Sequence, residues 1–553
     1  MDFIIFILRV ILPILSIFIV LRCFLSMKKN QRGNRTLIVL KNIITGEEIP
    51  IKYWENSIGR DKNCDVIINE ATVSREHAVL FRRKKGWLIS DTGSKSGINI
   101  NGEKVVGQAP VYIGDNISMG SCSFKLIKAS ESEVVKNPIE RMTLKPIRSK
   151  SLLFLVLIFH GLITLEALFS KGLTGFDNIL DFLDFLFPMG ALFCISFIFY
   201  FFSSVIFKRV TFELETLGIF LSGIGILTIG NYDIKEVYIQ VISLVIGIFL
   251  YCFLIWFIEK VDLVMKFRLY IAIFAVLLFA VNLLLAKEVN GSRNWVRLGG
   301  FTFQPSELIK IAYIFVGAST LEELQTTKNL TGFIVFSAIC IGSLFLMKDF
   351  GTACVFFIAF LIISFMRSGR LRTVILSCSA ALLGAFMILT FKPYIKDRFA
   401  VWGHVWEHTQ DSGYQQTRVL SYAASGGLIG VGSGQGKLNS VFAALNDLMF
   451  GVICEELGLI IALVIALTIA GMAFFVKGQS NKSRSTFYSI ASCSAAAMLV
   501  FQCGLHIFGS TDILPMTGVT LPFVSLGGSS LVSVWGLLAF IKASDERTYS
   551  LRR

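Results

Sequence analysis

Two kinds of hydrophobic patterning divide the chain. Over residues 3–25, and repeatedly from about 151 onward, apolar residues run on for roughly 20 positions at a time, the length of a helix that crosses a bilayer. Between these regions, over 36–128, short apolar runs alternate with polar residues: TLIVL (36–40), DVIIN (65–69), HAVLF (77–81), WLIS (87–90) and SFKLI (123–127). Turn residues such as Asp91-Thr92-Gly93 and Asn101-Gly102 separate them, which predicts a small soluble β-sandwich. Residues 1–27 then read as an anchor helix, and 129–150 as a polar, basic linker. After the linker the pattern predicts about twelve spans, near 151–168, 183–207, 210–230, 236–257, 267–286, 303–322, 330–347, 352–367, 371–391, 448–476, 485–508 and 523–541.

Composition agrees with a membrane protein. The chain has 553 residues, 54% of them hydrophobic and only 16% charged, against about a quarter charged in soluble proteins. The net charge of +14 is spread over the short loops between spans, so it is not a nucleic-acid signature. It sets orientation instead. The first run is followed by Met27-Lys28-Lys29, Arg32 and Arg35 and lacks a small-residue cleavage site, so it reads as an uncleaved anchor with its N-terminus outside. Starting inside at Lys150 puts Lys208/Arg209, Lys266/Arg268, Lys328, Arg367/Arg370/Arg372, Lys477/Lys482/Arg484 and the basic tail in the cytoplasm, together with the sandwich. Arg293, Arg297, Lys392, Lys396, Arg398 and Arg418 are left outside, a cluster suited to an anionic ligand. The 11 cysteines form no CxxC pair, and Cys23, Cys194, Cys252, Cys340, Cys354, Cys454 and Cys503 are among those within apolar runs, where thiols pack as small hydrophobes.

Three polar segments interrupt the spans: GSRNWVRLGGFTFQPSELIK (291–310), LNDLMFGVICEELG (445–458) and ILPMTGVTLPFVSLGGSS (513–530). Together, and in this order, they resemble the SEDS family, the RodA/FtsW/SpoVE-like proteins that polymerise peptidoglycan glycan strands from lipid II. The resemblance covers roughly 210–545 and implies a core of about ten transmembrane helices. The anchor and an extra hairpin at 151–207 are additions to that core, the hairpin reading as a packing or partner-docking element. The implied reaction joins the 4-hydroxyl of one lipid-linked disaccharide to C1 of another with inversion, releasing undecaprenyl pyrophosphate. It calls for a carboxylate to take the hydroxyl proton or to hold a divalent cation, and for cations facing the pyrophosphate. No cofactor is otherwise implied.

By resemblance Asp447, ahead of Cys454-Glu455-Glu456-Leu457-Gly458, is the catalytic carboxylate on the outer face, although Leu445-Asn446 stand where the family commonly has His-Thr. Arg293, Trp295 and Arg297 are candidate substrate contacts, since guanidinium forks match pyrophosphate oxygens. Glu307 and Lys310 lie at i,i+3 and can pair within the bilayer or face substrate. Asp349 is retained from a family signature in which Lys348 replaces a proline. Gln415 and Ser425 belong to a long outer loop, 392–447, to which the family assigns acceptor-side contacts; Arg418 stands there where a Gln is more usual. Glu455 and Glu456 point about 100° apart on a helix and read as polar glue tied to a cation or backbone. The prolines and glycines of 513–530 imply a re-entrant or broken helix lining a cavity, with Leu526 in place of the family's usual Tyr.

In the sandwich, Ser57-Ile58-Gly59-Arg60, Ser74-Arg75-Glu76-His77 and GSKSGININGEKV (93–105) resemble a forkhead-associated (FHA) domain, a module that binds phosphothreonine peptides. Arg60 and Ser74 would contact the phosphate and His77 would brace the loop. Ser96 stands at the family's peptide-contacting Asn and lacks its amide.

The expectation is a peptidoglycan glycosyltransferase of the bacterial plasma membrane. Its expected partners are a phosphothreonine protein at the sandwich and a class B penicillin-binding protein for crosslinking. Two alternatives compete: a lipid II flippase, which would need charges along a transbilayer path, and an inactive cell-wall scaffold.

Overall fold

The computed structural model describes residues 2–29, 37–51, 55–62, 64–83, 86–129, 149–172, 179–206, 211–289, 292–298, 301–320, 327–368, 371–391, 401–480 and 486–545. Most of the expected basic linker, and the external Lys392, Lys396 and Arg398, lie outside these residues.

The alternating region folds as two sheets. One has six strands in the order β2-β1-β11-β10-β7-β8, the other five in the order β4-β3-β5-β6-β9. Here β1 is Ile38–Asn42, β2 Glu48–Ile51, β3 Glu55–Gly59, β4 Val66–Ile67, β5 Ala78–Arg83, β6 Gly86–Asp91, β7 Ile98–Ile100, β8 Glu103–Lys104, β9 Gln108–Val111, β10 Asn116–Met119 and β11 Cys122–Lys128. Pairing is antiparallel except between β3 and β4. The inward positions of both sheets meet in one apolar core that includes Leu40, Ile58, Leu80, Ile89, Ile117 and Leu126.

The apolar runs form helices: α1 Asp2–Lys29, α2 Ser149–Lys171, α3 Ile179–Phe201, α4 Glu213–Gly230, α5 Ile234–Ile258, α6 Val261–Leu285, α7 Pro305–Thr320, α8 Thr327–Leu346, α9 Phe350–Ser368 and α10 Leu371–Phe391. They continue with α11 Tyr414–Gly426, α12 Ala444–Asp447, α13 Met449–Glu456, α14 Leu459–Ser480, α15 Thr486–Ser510 and α16 Gly528–Ala543. Among the described residues eight helices are long and apolar enough to cross a membrane, and four shorter apolar helices accompany them. This is a multi-pass membrane protein.

α4 is buried along almost its whole length and forms the axis of the bundle. Beside it Trp535 of α16 is fully buried, ringed edge-on by Phe199, Tyr251 and Phe523, with its Nε1 donating to Ser222 Oγ at 3.3 Å. At one end of the axis Lys542 Nζ meets Glu215 at 2.9 Å and Thr211 O at 2.7 Å, while Tyr251 OH donates to Glu215 at 2.6 Å. The buried charges are therefore paired and solvated by protein.

The first helices are docked tightly. Phe24 of α1 lies over Gly471 of α14, where a Cβ would come within 2.3 Å of the ring, and Ser26 Oγ donates to Glu213 at 2.7 Å. His160 of α2 fills the space left by Gly223 of α4.

The structure corrects the expected helices in three places. The run expected as one span over 448–476 is α13 followed by α14, because Gly458 has φ +89° and a Cβ there would lie 2.4 Å from Leu428 O. The outer loop around 291–303 contains a three-stranded antiparallel sheet: β12 Lys287–Val289, β13 Ser292–Leu298 and β14 Phe301–Phe303. Residues 511–527 are non-helical throughout, so the last span begins at Gly528 rather than near 523.

The sandwich touches the bundle through Glu55, whose carboxylate accepts from Thr486 N at 2.9 Å and Thr486 Oγ1 at 2.7 Å and so caps α15.

Two helix glycines should respond oppositely to alanine. At Gly223 an added Cβ would sit 2.1 Å from the His160 ring, whereas at Gly332 nothing lies within 4 Å. Gly223→Ala is expected to destabilise by about 1–3 kcal/mol through overpacking. Gly332→Ala should stabilise by roughly 0.5–1 kcal/mol through helix propensity. Thermal unfolding in one detergent checks the two signs.

Candidate functional site

Asp447 ends α12, a single turn that starts after Ala443 in the left-handed region (φ +57°), with Asp447 N donating to Ala443 O at 2.8 Å. This turn is bonded to the non-helical segment before α16. Leu526 N donates to Leu445 O at 2.8 Å, Asn446 Nδ2 to Leu526 O at 2.9 Å, and Ser525 Oγ to Asn446 O at 2.7 Å. Leu445 and Asn446 thus replace the expected His-Thr pair by holding the turn through backbone and amide. Asp447 is half-buried, and a Cβ on Gly518 would lie 3.6 Å from its Oδ2.

The same segment leans on two further groups. Gly351, at the start of α9, faces Thr517 and Val519, so 517–519 passes between Asp447 and the end of α9 that carries Asp349. The Thr517 hydroxyl is buried and has no hydrogen-bond partner among the described residues. His506 of α15 bridges Phe450 N (3.2 Å, to Nε2) and Val519 O (2.8 Å, from Nδ1). Since an amide N–H must donate to Nε2, the proton sits on Nδ1, and the ring joins α13 to the segment.

Asp349 accepts from Thr352 N at 3.0 Å, from Gln304 Nε2 at 3.4 Å and from Asn294 Nδ2. Asn294 also donates to Ser306 Oγ at 3.1 Å. Glu307 and Lys310 form the expected pair, at 2.8 Å, and Lys310 also donates to Gln502 Oε1 at 2.9 Å. Gln502 in turn donates to Thr520 O at 3.0 Å, so this buried ion pair is wired to the same segment. Asp447, Asp349 and the Glu307–Lys310 pair all converge on residues 517–530.

Strand alternation in β13 buries Asn294 and Val296 and leaves Arg293 exposed and Trp295 half-buried. Arg297 pairs with Thr302 in the sheet; its side chain lies outside the described residues. Gln415 donates to Phe442 O at 2.8 Å, near the Asp447 turn. Ser425 does not join it: the hydroxyl donates to Tyr422 O at 2.7 Å, and the neighbouring Gly426 packs on Cys454 and Glu455. That is about 15 Å of helix rise from Gln415.

Glu455 and Glu456 serve the loop that follows α11. Glu455 accepts from Lys437 N at 2.8 Å and Leu438 N at 2.9 Å; Glu456 accepts from Gly434 N at 2.9 Å and from the Tyr232 hydroxyl. Both are polar glue tied to backbone. Among the described residues no three His, Cys, Asp or Glu side chains form a metal-ligand group. A groove of about 380 Å³ lined by Ile358, Val476, Lys477, Cys493 and Val500 lies toward the opposite end of α15 from His506 and is separate from this site.

In the sandwich, exposed Arg60 follows β3, and its N–H donates to Ser74 O at 3.0 Å. Buried His77 accepts from Ser74 N at 3.0 Å, so its other nitrogen carries the proton and donates to Gly97 O at 3.1 Å. Lys95 N donates to Ser74 Oγ at 3.1 Å, and Ser96 Oγ donates to Thr72 O at 3.2 Å. Arg60, Ser74 and Ser96 therefore sit on adjoining loops that His77 ties together. Asn294, His506 and Tyr232 carried no motif and were not singled out from sequence; a polar residue flanked by Arg293 and Trp295 was the one available signal.

A family model described as cell cycle protein, for FtsW, RodA and SpoVE, matches residues 189–549, and an FHA-domain model matches 56–120. A probable peptidoglycan glycosyltransferase FtsW from Coxiella burnetii is 32% identical over 274 residues, 48% of this chain and 74% of that protein. The corresponding protein of Wigglesworthia glossinidia brevipalpis is 30% identical over 278 residues, 48% of this chain and 73% of its own length. A chain from a peptidoglycan synthase complex that polymerises and crosslinks superposes with a TM-score of 0.52 at 23% identity, covering 62% of this chain and 98% of that one. The chain belongs to the FtsW/RodA/SpoVE family and joins that membrane core to an N-terminal FHA domain.

Proposed function

We propose that this protein is a peptidoglycan glycosyltransferase that polymerises lipid II, with Asp447 as the general base. The observation that carries the reading is the anchoring of the Asp447 turn to the 521–527 segment by three hydrogen bonds. A base must be held in register with its proton donor, and rigid support of this kind does so. Asp447 takes the proton of the acceptor's 4-hydroxyl as that oxygen bonds C1 of the donor. The C1–O bond to pyrophosphate breaks with its electron pair, and undecaprenyl pyrophosphate leaves. Arg293 and Arg297 meet the phosphate charge, and Trp295 offers a face for a sugar. Asp349, Glu307 and Lys310 hold the floor of the site, and Gln415 supports the Asp447 turn from α11.

The site lies at the end of the bundle where α15 finishes, and Glu55 of the FHA domain caps the start of α15, roughly 37 Å away along the helix. This separation supports an FHA domain in the cytoplasm and a site on the outer face, as the basic loops imply. Arg60 lies beyond the other end of β3 from Glu55, roughly 17 Å along the strand, so the candidate phosphate-binding loop is separate from the Glu55–Thr486 contact. A phosphothreonine protein can dock there while a class B penicillin-binding protein crosslinks the strands made on the far side.

Two outcomes check the proposal. Asp447→Asn should lower polymerisation of labelled lipid II by at least about 100-fold with unchanged thermal unfolding; a variant as active as wild type would remove Asp447 from the chemistry. In the FHA domain Arg60→Ala should weaken binding of a phosphothreonine peptide by about tenfold or more, the loss of a charge-assisted hydrogen bond. Calorimetry with the phosphorylated and unphosphorylated peptide reads this directly, and equal binding of the two would exclude phosphate recognition.

A further inference from the structure

The loop between α11 and the Asp447 turn packs into the bundle at Gly432, Ser433 and Leu438, and the backbone N–H groups around these points need partners there. Val431 N and Gly432 N donate to Glu455 O and Glu456 O, Gly434 N to the Glu456 carboxylate, and Lys437 N and Leu438 N to the Glu455 carboxylate. Ser433 N is different. It donates at 2.7 Å to Glu166 Oε2, from α2, and Ser433 Oγ accepts from Asn231 Nδ2 at 2.9 Å.

Glu166 is 1% exposed, and its other oxygen accepts from Arg9 Nε of α1 at 3.1 Å. The fit is close: Gly432 has φ +117°, and a Cβ there would lie 2.2 Å from an Arg9 nitrogen and 2.8 Å from Glu166 Oε1. A charged pair within two apolar helices is costly to place there, which marks it as a candidate for a role. The family match begins at residue 189, so Arg9 and Glu166 both lie outside it.

We infer that Glu166, oriented by Arg9, is a positioning residue for the glycosyltransferase site: the first two helices supply the third carboxylate that fixes the loop leading to Asp447. The path is short. From Ser433 the chain reaches Leu438, which is fully buried, turns through Val441 N donating to Leu438 O at 2.9 Å and Ala444 N to Val441 O at 3.1 Å, and enters the Asp447 turn. With Glu166 lost, Ser433 N, on a residue 1% exposed, loses its acceptor, and the loop must move to find another. The inference rests on the proposed reaction for its consequence, but the loop geometry can be read without it.

The test uses the full chain in nanodiscs, comparing wild type, Glu166→Ala, Glu166→Gln and Arg9→Met by hydrogen exchange and by lipid II turnover. In Glu166→Ala the amides of 431–438 should exchange about tenfold faster or more, while α15 and α16 keep wild-type protection. Turnover should fall about tenfold, with the apparent KM for lipid II within about twofold of wild type. Glu166→Gln keeps an acceptor for Ser433 N and should protect the loop better than alanine does; Arg9→Met should fall between them. Unchanged loop exchange in Glu166→Ala overturns the inference. So does faster exchange spread evenly over the bundle, which marks a residue that only holds the fold. If wild type makes no glycan strands, the proposed reaction fails, and loop exchange still decides whether Glu166 positions the loop.

Discussion

Irregular backbone inside a membrane bundle must find its hydrogen bonds within the protein, and that constraint shapes this site more than any other. Two stretches without α-helix, 427–443 (which holds one short 3-10 turn, Leu438–Ser440) and 511–527, meet at the bundle, and between them they hold the Asp447 turn. Carboxylates solve the problem for the first stretch: each accepts two bonds and suits adjacent N–H donors. Side-chain hydroxyls and amides solve it for the second, as Ser525 caps Leu521 N at 2.9 Å and Gln240 accepts from Gly527 N at 3.2 Å. Helices alone could not present a carboxylate at a break in a span. The polar residues that appear costly in the sequence are those that make the break possible.

What the sequence shows follows from which interactions have a period. Long apolar runs and short alternating ones are local, so helical spans and the β-sandwich are legible without a structure. The break at Gly458 is not, because Glu455 and Glu456 lie in an apolar run and their carbonyls, freed by the break, are met by the amides of Val431 and Gly432, 24 residues earlier in each case. The three strands around Arg293 were hidden by length: β12 and β14 have three residues each, too few to show alternation. Resemblance named Asp447, and Glu307–Lys310 followed from i,i+3 spacing. Asn294, His506 and the Arg9–Glu166 pair act through partners from 12 to 267 residues away, which no local pattern reports.

Substitutions at family positions take on physical content in this light. Asn446 uses its amide to hold Leu526 O, and Leu526 is engaged through its backbone, so a tyrosine hydroxyl is not needed to fix that contact. Lys348 sits in the left-handed region at φ +61° and is exposed, while Asp349 beside it turns inward to cap α9 through Thr352 N.

The two ends of the molecule are joined by one element. α15 begins at Thr486, capped by the FHA carboxylate of Glu55, and carries Gln502 and His506 into the site at its other end. A continuous helix that links two sites is a physical route for coupling between them, with its cap as the contact nearest the FHA domain. Glu55 opens β3 and Arg60 follows its last residue; Ile58 of this strand is fully buried in the sandwich core. In the proposed function, a phosphopeptide held at Arg60 would reach α15 only through movement of the whole packed sandwich against its cap, because a close-packed core does not let one strand slide alone. The Glu55–Thr486 contact is the point at which FHA occupancy, in the proposed function, would meet the catalytic bundle.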